Sequence, residues 1–334
     1  MERLGIVVIQ LEEAKRLLLE VRPERHRIAL LLLDNASELQ LLRATESELS
    51  FDLVFEKWRA TLSQQSPDAL PPSLKKIATR RPVTKERAKR IRQRYTEKLN
   101  YLAGDKAKLA PAVSEVLLYL HEYRNHAYHG GRFTPGLVRA LALLLFELNC
   151  RLLESLPPGV TVWSSVGDYG WLSEGYGIEG RVPDFKRSVT TIVGRLREGL
   201  AEHLEGVKPA LADDLLSRLA QVGEAVTFIC SAAKAATSRE EALRLAQFHS
   251  LIESNELASP APTLEDFVPS YGMDEFEKLR VAASTITRAT DECGAFAKYA
   301  RAAKRLQVLE SDVFGFASAL ESYIQQQIDI ARGK

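Results

Sequence analysis

The chain has no surplus of charge of either sign, few aromatics, few cysteines and no long apolar run. Its 45 Lys and Arg face 44 Asp and Glu, a formal net charge of +1. No global field therefore draws it to nucleic acid or to a membrane surface, and any such field is local. Aromatics are 7% of the 334 residues, set in a background of Leu and Ala, which points away from a β-sandwich and towards helices. Cys150, Cys230 and Cys293 are too few and too far apart for a disulfide frame or a zinc knuckle, and read as reduced, buried thiols of a cytoplasmic protein. With 46% hydrophobic residues, 19 glycines and 14 prolines, neither disorder nor collagen-like repetition fits. The apolar cluster Leu137 to Leu148 is interrupted by Arg139 and Glu147 and is too short to span a bilayer. The N-terminal run Gly5 to Ile9 is too short for a signal peptide and is followed by Glu12 and Glu13. The expectation is an all-α, soluble, cytoplasmic chain of two domains with no membrane contact.

Helical periods organise what is there. Leu11, Ala14, Leu18 and Val21 share one period, and Pro23 opens a helix to about residue 46 with Ile28, Leu31, Leu32, Leu39 and Leu42 inward. Residues 63–82 read as loop. One helix is expected from Thr84 to Leu102, with Ala88, Ile91, Tyr95, Leu99 and Leu102 as its buried stripe. Pro111 starts another, with Val113, Val116, Leu117, Leu120, Arg124 and Ala127 inward, and His129-Gly130-Gly131 stops it. Thr134-Pro135 opens a helix to about Leu156 that is apolar on almost every side, which suits the middle of a bundle or a partner. This makes residues 1–156 a helical bundle of up-and-down type. Residues 157–183, rich in glycine, proline and aromatics, read as a junction with a short hairpin around Val160 to Val166. A C-terminal helical domain is expected over 184–334. Its stripes are Val189, Ile192, Leu196 and Leu200, then Leu211, Leu215, Leu219, Val222 and Val226, then a helix capped by Ser238 and Glu241. A break at 254–272 precedes two more helices to about Ile330.

One constellation carries chemistry: Glu122-Tyr123-Arg124-Asn125-His126-Ala127-Tyr128-His129-Gly130-Gly131. Arg124 shares its stripe with Leu117 and Leu120, so its guanidinium starts from a core-facing position and needs a partner, an interface or a bound anion. RNA cleavage without a metal needs a group that moves protons and a cation for the charge building on phosphorus. Histidine suits the first role and arginine, with its fork of donors, the second. Asparagine can orient either.

Arg124-Asn125-x3-His129, before Gly-Gly and a further apolar helix, resembles the R-x4-6-H motif of the HEPN superfamily, in which a polar residue commonly follows the Arg. Leu31-Leu32-Leu33-Asp34-Asn35-Ala36-Ser37-Glu38-Leu39 resembles the first long helix of many bacterial members. The resemblance covers about residues 10–156. It implies a bundle of four or five helices that dimerises so that two motifs face each other, and a metal-independent endoribonuclease without cofactor. Its members cluster in toxin–antitoxin and antiviral defence systems and cut tRNA or other RNA. Arg124, Asn125 and His129 are then the catalytic candidates, with His126 and Tyr128 supporting them. Some members carry a modifiable Tyr two residues after the motif His; Gly131 stands there in this chain, which does not support that form of neutralisation.

Other residues keep two readings. Asn35, expected on the buried stripe, and Glu38 either tie bundle helices together or orient the motif Arg or His. The stretch Lys75 to Lys98 holds eleven Lys or Arg against Glu86 and Glu97, a local charge of +9. Lys85, Arg87, Lys89, Arg90, Arg92 and Arg94 in it either guide RNA to the motif or form a solvated face. Trp163 and Trp171 pack the junction or stack a base. His121, His126 and His129 with Glu122 have poor spacing for a metal, His121 pointing elsewhere. Arg244 to His249 repeats the spacing but is followed by Leu245, and reads as a decoy. A five-residue step on a continuous helix separates two side chains by about 140°. Arg124 and His129 therefore meet only if the helix breaks near Tyr128 or if two subunits contribute. The C-terminal region is left to sense a trigger, bind a regulatory partner or extend the dimer. The alternative is a non-enzymatic helical interaction or RNA-binding protein. A carboxylate clasping Arg124 within its own subunit, with His129 remote from any cleft, would leave only a scaffold.

Overall fold

Pro23, in the first turn of its helix, separates helix α1 (Glu2–Leu18) from helix α2 (Pro23–Leu62). In this computed structural model residues 2–62, 71, 83–130, 134–156, 174–176, 185–233, 236–254 and 263–332 are described, and among them there are helices and no strand. The fold is all-α. Leu11, Ala14 and Leu18 are buried as their spacing requires, while Val21 lies past the helix end and is exposed. α2 runs on past residue 46 for 40 residues, about 60 Å, because neither glycine nor proline interrupts it after Pro23.

The buried face of α2 corrects the expected one. Leu30, Leu33, Asp34, Ala36, Ser37, Gln40 and Leu41 point inward, Ile28 and Asn35 are exposed, and Leu31, Leu32, Leu39 and Leu42 are only half-buried. Asn35 therefore ties nothing in the core. The continuous apolar run from Ile28 to Leu33 fits any helical phase, and the residues that settle the phase are the polar Asp34, Ser37 and Gln40. Gln40 donates to Asn149 Oδ1 at 2.7 Å, and Asn149 donates to the carbonyls of Leu33 (3.0 Å) and Leu145 (2.8 Å). This buried amide pair locks α2 to helix α6 (Pro135–Ser155), the broadly apolar helix expected there.

Thr84 caps helix α3 (Lys85–Gln93), its side chain accepting from the Arg87 N–H. The single helix expected to Leu102 is broken at Arg94, which adopts φ −107° and ψ 130°, and resumes as α4 (Tyr95–Asn100) and a π-helical turn (Tyr101–Asp105). No local glycine or proline explains the break. The buried stripe survives it: Ile91, Tyr95, Leu99 and Leu102 are all buried. Helix α5 (Pro111–Gly130) follows, with Val116, Leu117 and Leu120 inward, and it ends where the two glycines stop it. α4 and α5 both pack on α2.

Helix α7 (Phe185–Arg197) belongs with this bundle. Val189, Ile192, Val193 and Leu196 are buried, and Arg197 reaches Glu147 and Glu154 of α6, both at 2.9 Å. Lys15 of α1 donates to the Arg195 carbonyl at 3.0 Å. After a short helix α8 (Ala201–Leu204), the chain divides between Val207 and Lys208, later than the boundary at 184 expected from composition. The shift has a physical cause: α7 spends its apolar stripe and its arginine on α1 and α6. The expected hairpin at 160–166, with Trp163 and Trp171, lies outside the described residues.

The second unit is built from α9 (Val207–Ala232), α10 (Arg239–Glu253), α11 (Asp274–Thr287) and α12 (Glu292–Ala331). The expected stripe Leu211, Leu215, Leu219, Val222 and Val226 is buried, and Ser238 with Glu241 forms the full capping box. Tyr299 of α12 donates to Asp214 at 2.7 Å, and Arg218 forks onto Glu310 at 2.8 and 2.6 Å, joining α9 to α12. Cys150 and Cys293 are buried and Cys230 is half-buried, and none of the three forms a disulfide. Burial pushes the Cys150 thiol up to about 12, so it stays protonated and unreactive at neutral pH. Among the described residues no helix is long and apolar enough to cross a membrane.

Candidate functional site

Asp34 sits in the middle of α2 with its side chain 1% exposed, and a carboxylate there must be paired. Two residues of α5 meet it. Arg124 donates through Nε to Asp34 Oδ2 at 2.8 Å, and its second terminal nitrogen lies in ion-pair contact with the same oxygen at 2.5 Å. His121, one turn earlier, has Nδ1 2.9 Å from Asp34 Oδ1. The three-residue step puts both side chains over one face of α5. One buried carboxylate thus anchors an imidazole and a guanidinium side by side.

The surroundings lock this arrangement. His121 lies flat on the Tyr95 ring, centroids 4.0 Å apart and planes within 6°. The Tyr95 hydroxyl is 3.2 Å from Ser37 Oγ, and Ser37 donates to the Asp34 carbonyl at 2.8 Å. Burial pushes the Tyr95 phenol well above its ordinary range, so it is neutral at every working pH. Asn125 Oδ1 accepts from Arg124 at 2.8 Å. Two of the five N–H donors of the guanidinium are thereby hydrogen-bonded, and the second terminal nitrogen is in ion-pair contact. Arg124 is 27% exposed and His121 19%, and His121 Nε2 has no hydrogen-bond partner among the described residues.

The expectations fare unequally here. The partner that Arg124 requires is found inside its own subunit, as Asp34, so its charge by itself calls for neither an interface nor an anion. Glu38 does not reach Arg124: it accepts from Lys98 Nζ at 2.9 Å, and that lysine side chain is only 2% exposed. Lys98 thereby leaves the expected basic face. Lys85, Arg87, Lys89, Arg90, Arg92 and Arg94 are all exposed. Arg87 is paired with Asp105 at 2.5 Å; the other five make no ion pair among the described residues. This strip on α3 ends at Arg94, next to the Tyr95 that carries His121.

The side chains of His126, Tyr128 and His129 lie outside the described residues. The α5 backbone is helical through Gly130, so the break expected near Tyr128 does not occur. On a continuous helix the positions of Arg124 and His129 face about 140° apart. Arg244 and His249 of the repeated spacing are consumed structurally. Arg244 donates to the carbonyls of Leu264 (2.6 Å) and Glu265 (2.7 Å), and the His249 ring packs 5.2 Å from Phe316. Among the described residues no three His, Cys, Asp or Glu side chains gather as a metal ion would need.

Asp34 and His121 are the members that sequence reasoning missed. A signal existed for His121, which stands four residues after Leu117 and three before Arg124, on the same buried stripe. Family models, curated proteins and solved structures were all compared with this chain, and none matches it.

Proposed function

We propose that the first unit is a metal-independent endoribonuclease of HEPN type, acting as a homodimer in the cytoplasm, in a toxin or antiviral-defence setting that the resemblance alone suggests. The observation that carries this is a guanidinium held by a buried carboxylate with terminal N–H groups left over, beside an imidazole and at the end of an exposed basic strip. Arg124 binds a phosphate oxygen as charge builds on phosphorus, Asn125 keeps its plane, and His129 of a second copy moves a proton. The strip from Lys85 to Arg94 attracts RNA, including tRNA, and leads it towards Tyr95 and His121. Wild-type protein incubated with total RNA in EDTA is expected to cleave it, and Arg124→Ala and His129→Ala are each expected to lower the rate by about 100-fold or more. Intact RNA, or cleavage surviving both substitutions, rejects the proposal.

The strip has its own test. Replacing Lys89, Arg90 and Arg92 together with Gln is expected to weaken RNA binding at low salt. It is also expected to flatten the dependence of log K on log salt by about two units for single-stranded RNA. An unchanged slope would return the strip to a merely solvated face.

A second reading is favoured by one observation: Arg124 and Asp34 neutralise each other within one subunit. Such a clasp also suits a non-enzymatic helical interaction or RNA-binding protein. That protein binds RNA or itself in the same assays, makes no product, and loses fold stability rather than activity on Arg124→Ala.

A further inference from the structure

Transesterification of RNA needs proton transfer at both ends of the reacting phosphate. A base takes the 2′-OH proton as the O2′–P bond forms. The P–O5′ bond breaks, and O5′ takes a proton from an acid, leaving a 2′,3′-cyclic phosphate and a 5′-hydroxyl. One imidazole serves one end, and the motif supplies one, His129. Given the nuclease reading above, on which this rests, we infer that His121 is the general base, with Asp34 as its positioning residue.

The geometry points to that role in three ways. His121 and Arg124 share a face of α5 and share Asp34, so a phosphate bound by Arg124 lies within one helical turn of the imidazole. The contact of Nδ1 with Asp34 Oδ1 at 2.9 Å selects the tautomer protonated at Nδ1, which leaves the Nε2 lone pair to accept a proton. The stack on Tyr95 holds the ring plane fixed, an orientation that a surface histidine lacks. Position 129, about 140° from Arg124 on the same helix, then fits an acid supplied by the opposite copy. Charged and titratable groups of the elements packed against His121 are Asp34 and Glu38 of α2, Tyr95 and Lys98 of α4, and Arg124 of α5 itself. Glu38 is taken up by Lys98, and Asp34 by Arg124, so the imidazole faces a nearly neutral surrounding.

The test uses the full chain and a mixed-sequence RNA in EDTA, with cleavage rates measured from pH 5 to 9. His121→Asn keeps a side-chain N–H in the place of Nδ1 for Asp34, so the fold is preserved, and thermal melting verifies this. The expected result is a rate about 100-fold lower or more at pH 7, with a changed profile. Wild type gives a bell, rising as its base deprotonates and falling as its acid does, whereas the variant loses that shape and climbs with hydroxide until the acid deprotonates, then levels off. Asp34→Asn is expected to shift the rising limb without abolishing it. A variant within threefold of wild type, or one that is slower with the wild-type profile, overturns the role of His121 while leaving the nuclease intact. Wild type that leaves RNA uncut rejects the nuclease itself, and with it a base of any kind.

Discussion

Asp34→Ala is expected to destabilise the first unit by about 3 kcal/mol, read as a lower urea midpoint at unchanged slope. The carboxylate is fully buried and meets three nitrogens: two of Arg124, one by hydrogen bond and one by ion-pair contact, and the Nδ1 of His121. Truncating it strands a guanidinium whose only remaining partner is Asn125. Loss of one member of a buried pair costs about 3–5 kcal/mol, and the partial exposure of Arg124 places this case at the lower end, because water reaches the freed nitrogens. Asp34→Ala combined with Arg124→Leu is expected to lose less than Asp34→Ala alone, since it leaves no unpaired charge. A single-variant loss below about 1 kcal/mol would show that the pair contributes little beyond what solvent offers.

Much of the fold is legible in the sequence, and the failures have identifiable causes. Pro23, Thr84, Pro111, Gly130, Pro135 and Ser238 mark helix ends correctly, because each acts through its own backbone or side-chain chemistry. The inward positions Val116, Leu117 and Leu120 of α5 and the stripe of α9 are legible because apolar residues dominate them. α2 is not: its inner face carries Asp34, Ser37 and Gln40, so an apolar period read along it selects the wrong phase and brings Asn35 inward in place of Asp34. A buried polar stripe makes sense only with its partners, Tyr95, His121, Arg124 and Asn149, which stand between 58 and 109 residues further along the chain. The break at Arg94 is illegible for a related reason, since every residue from Lys85 to Asn100 is compatible with helix and tertiary packing decides. The division after Val207 follows from Arg197 reaching back to Glu147, another pairing that local composition does not show.

Mixed dimers separate the contributions of the two copies, and here the expected difference runs from no activity to a substantial fraction of wild type. α5 is continuous from Pro111 to Gly130, so His121 and Arg124 stand about 60° apart, while position 129 stands about 140° from Arg124 and about 80° from His121. A composite site then draws the first two from one subunit and His129 from its partner. Arg124→Ala and His129→Ala are each inactive alone. Co-expressed with different tags, half of the dimers combine both variants, and each of these contains one whole site of two, which gives about a quarter of wild-type activity. Arg124→Ala with His121→Asn is expected to restore nothing, because both lesions fall on the same side and every site lacks one or the other. Restoration in the second pairing but not the first would place His121 opposite Arg124 and refute the shared Asp34 anchor as a catalytic arrangement. Restoration in neither, with dimers confirmed by light scattering, would mean that all three residues act within one subunit, which a continuous helix does not permit.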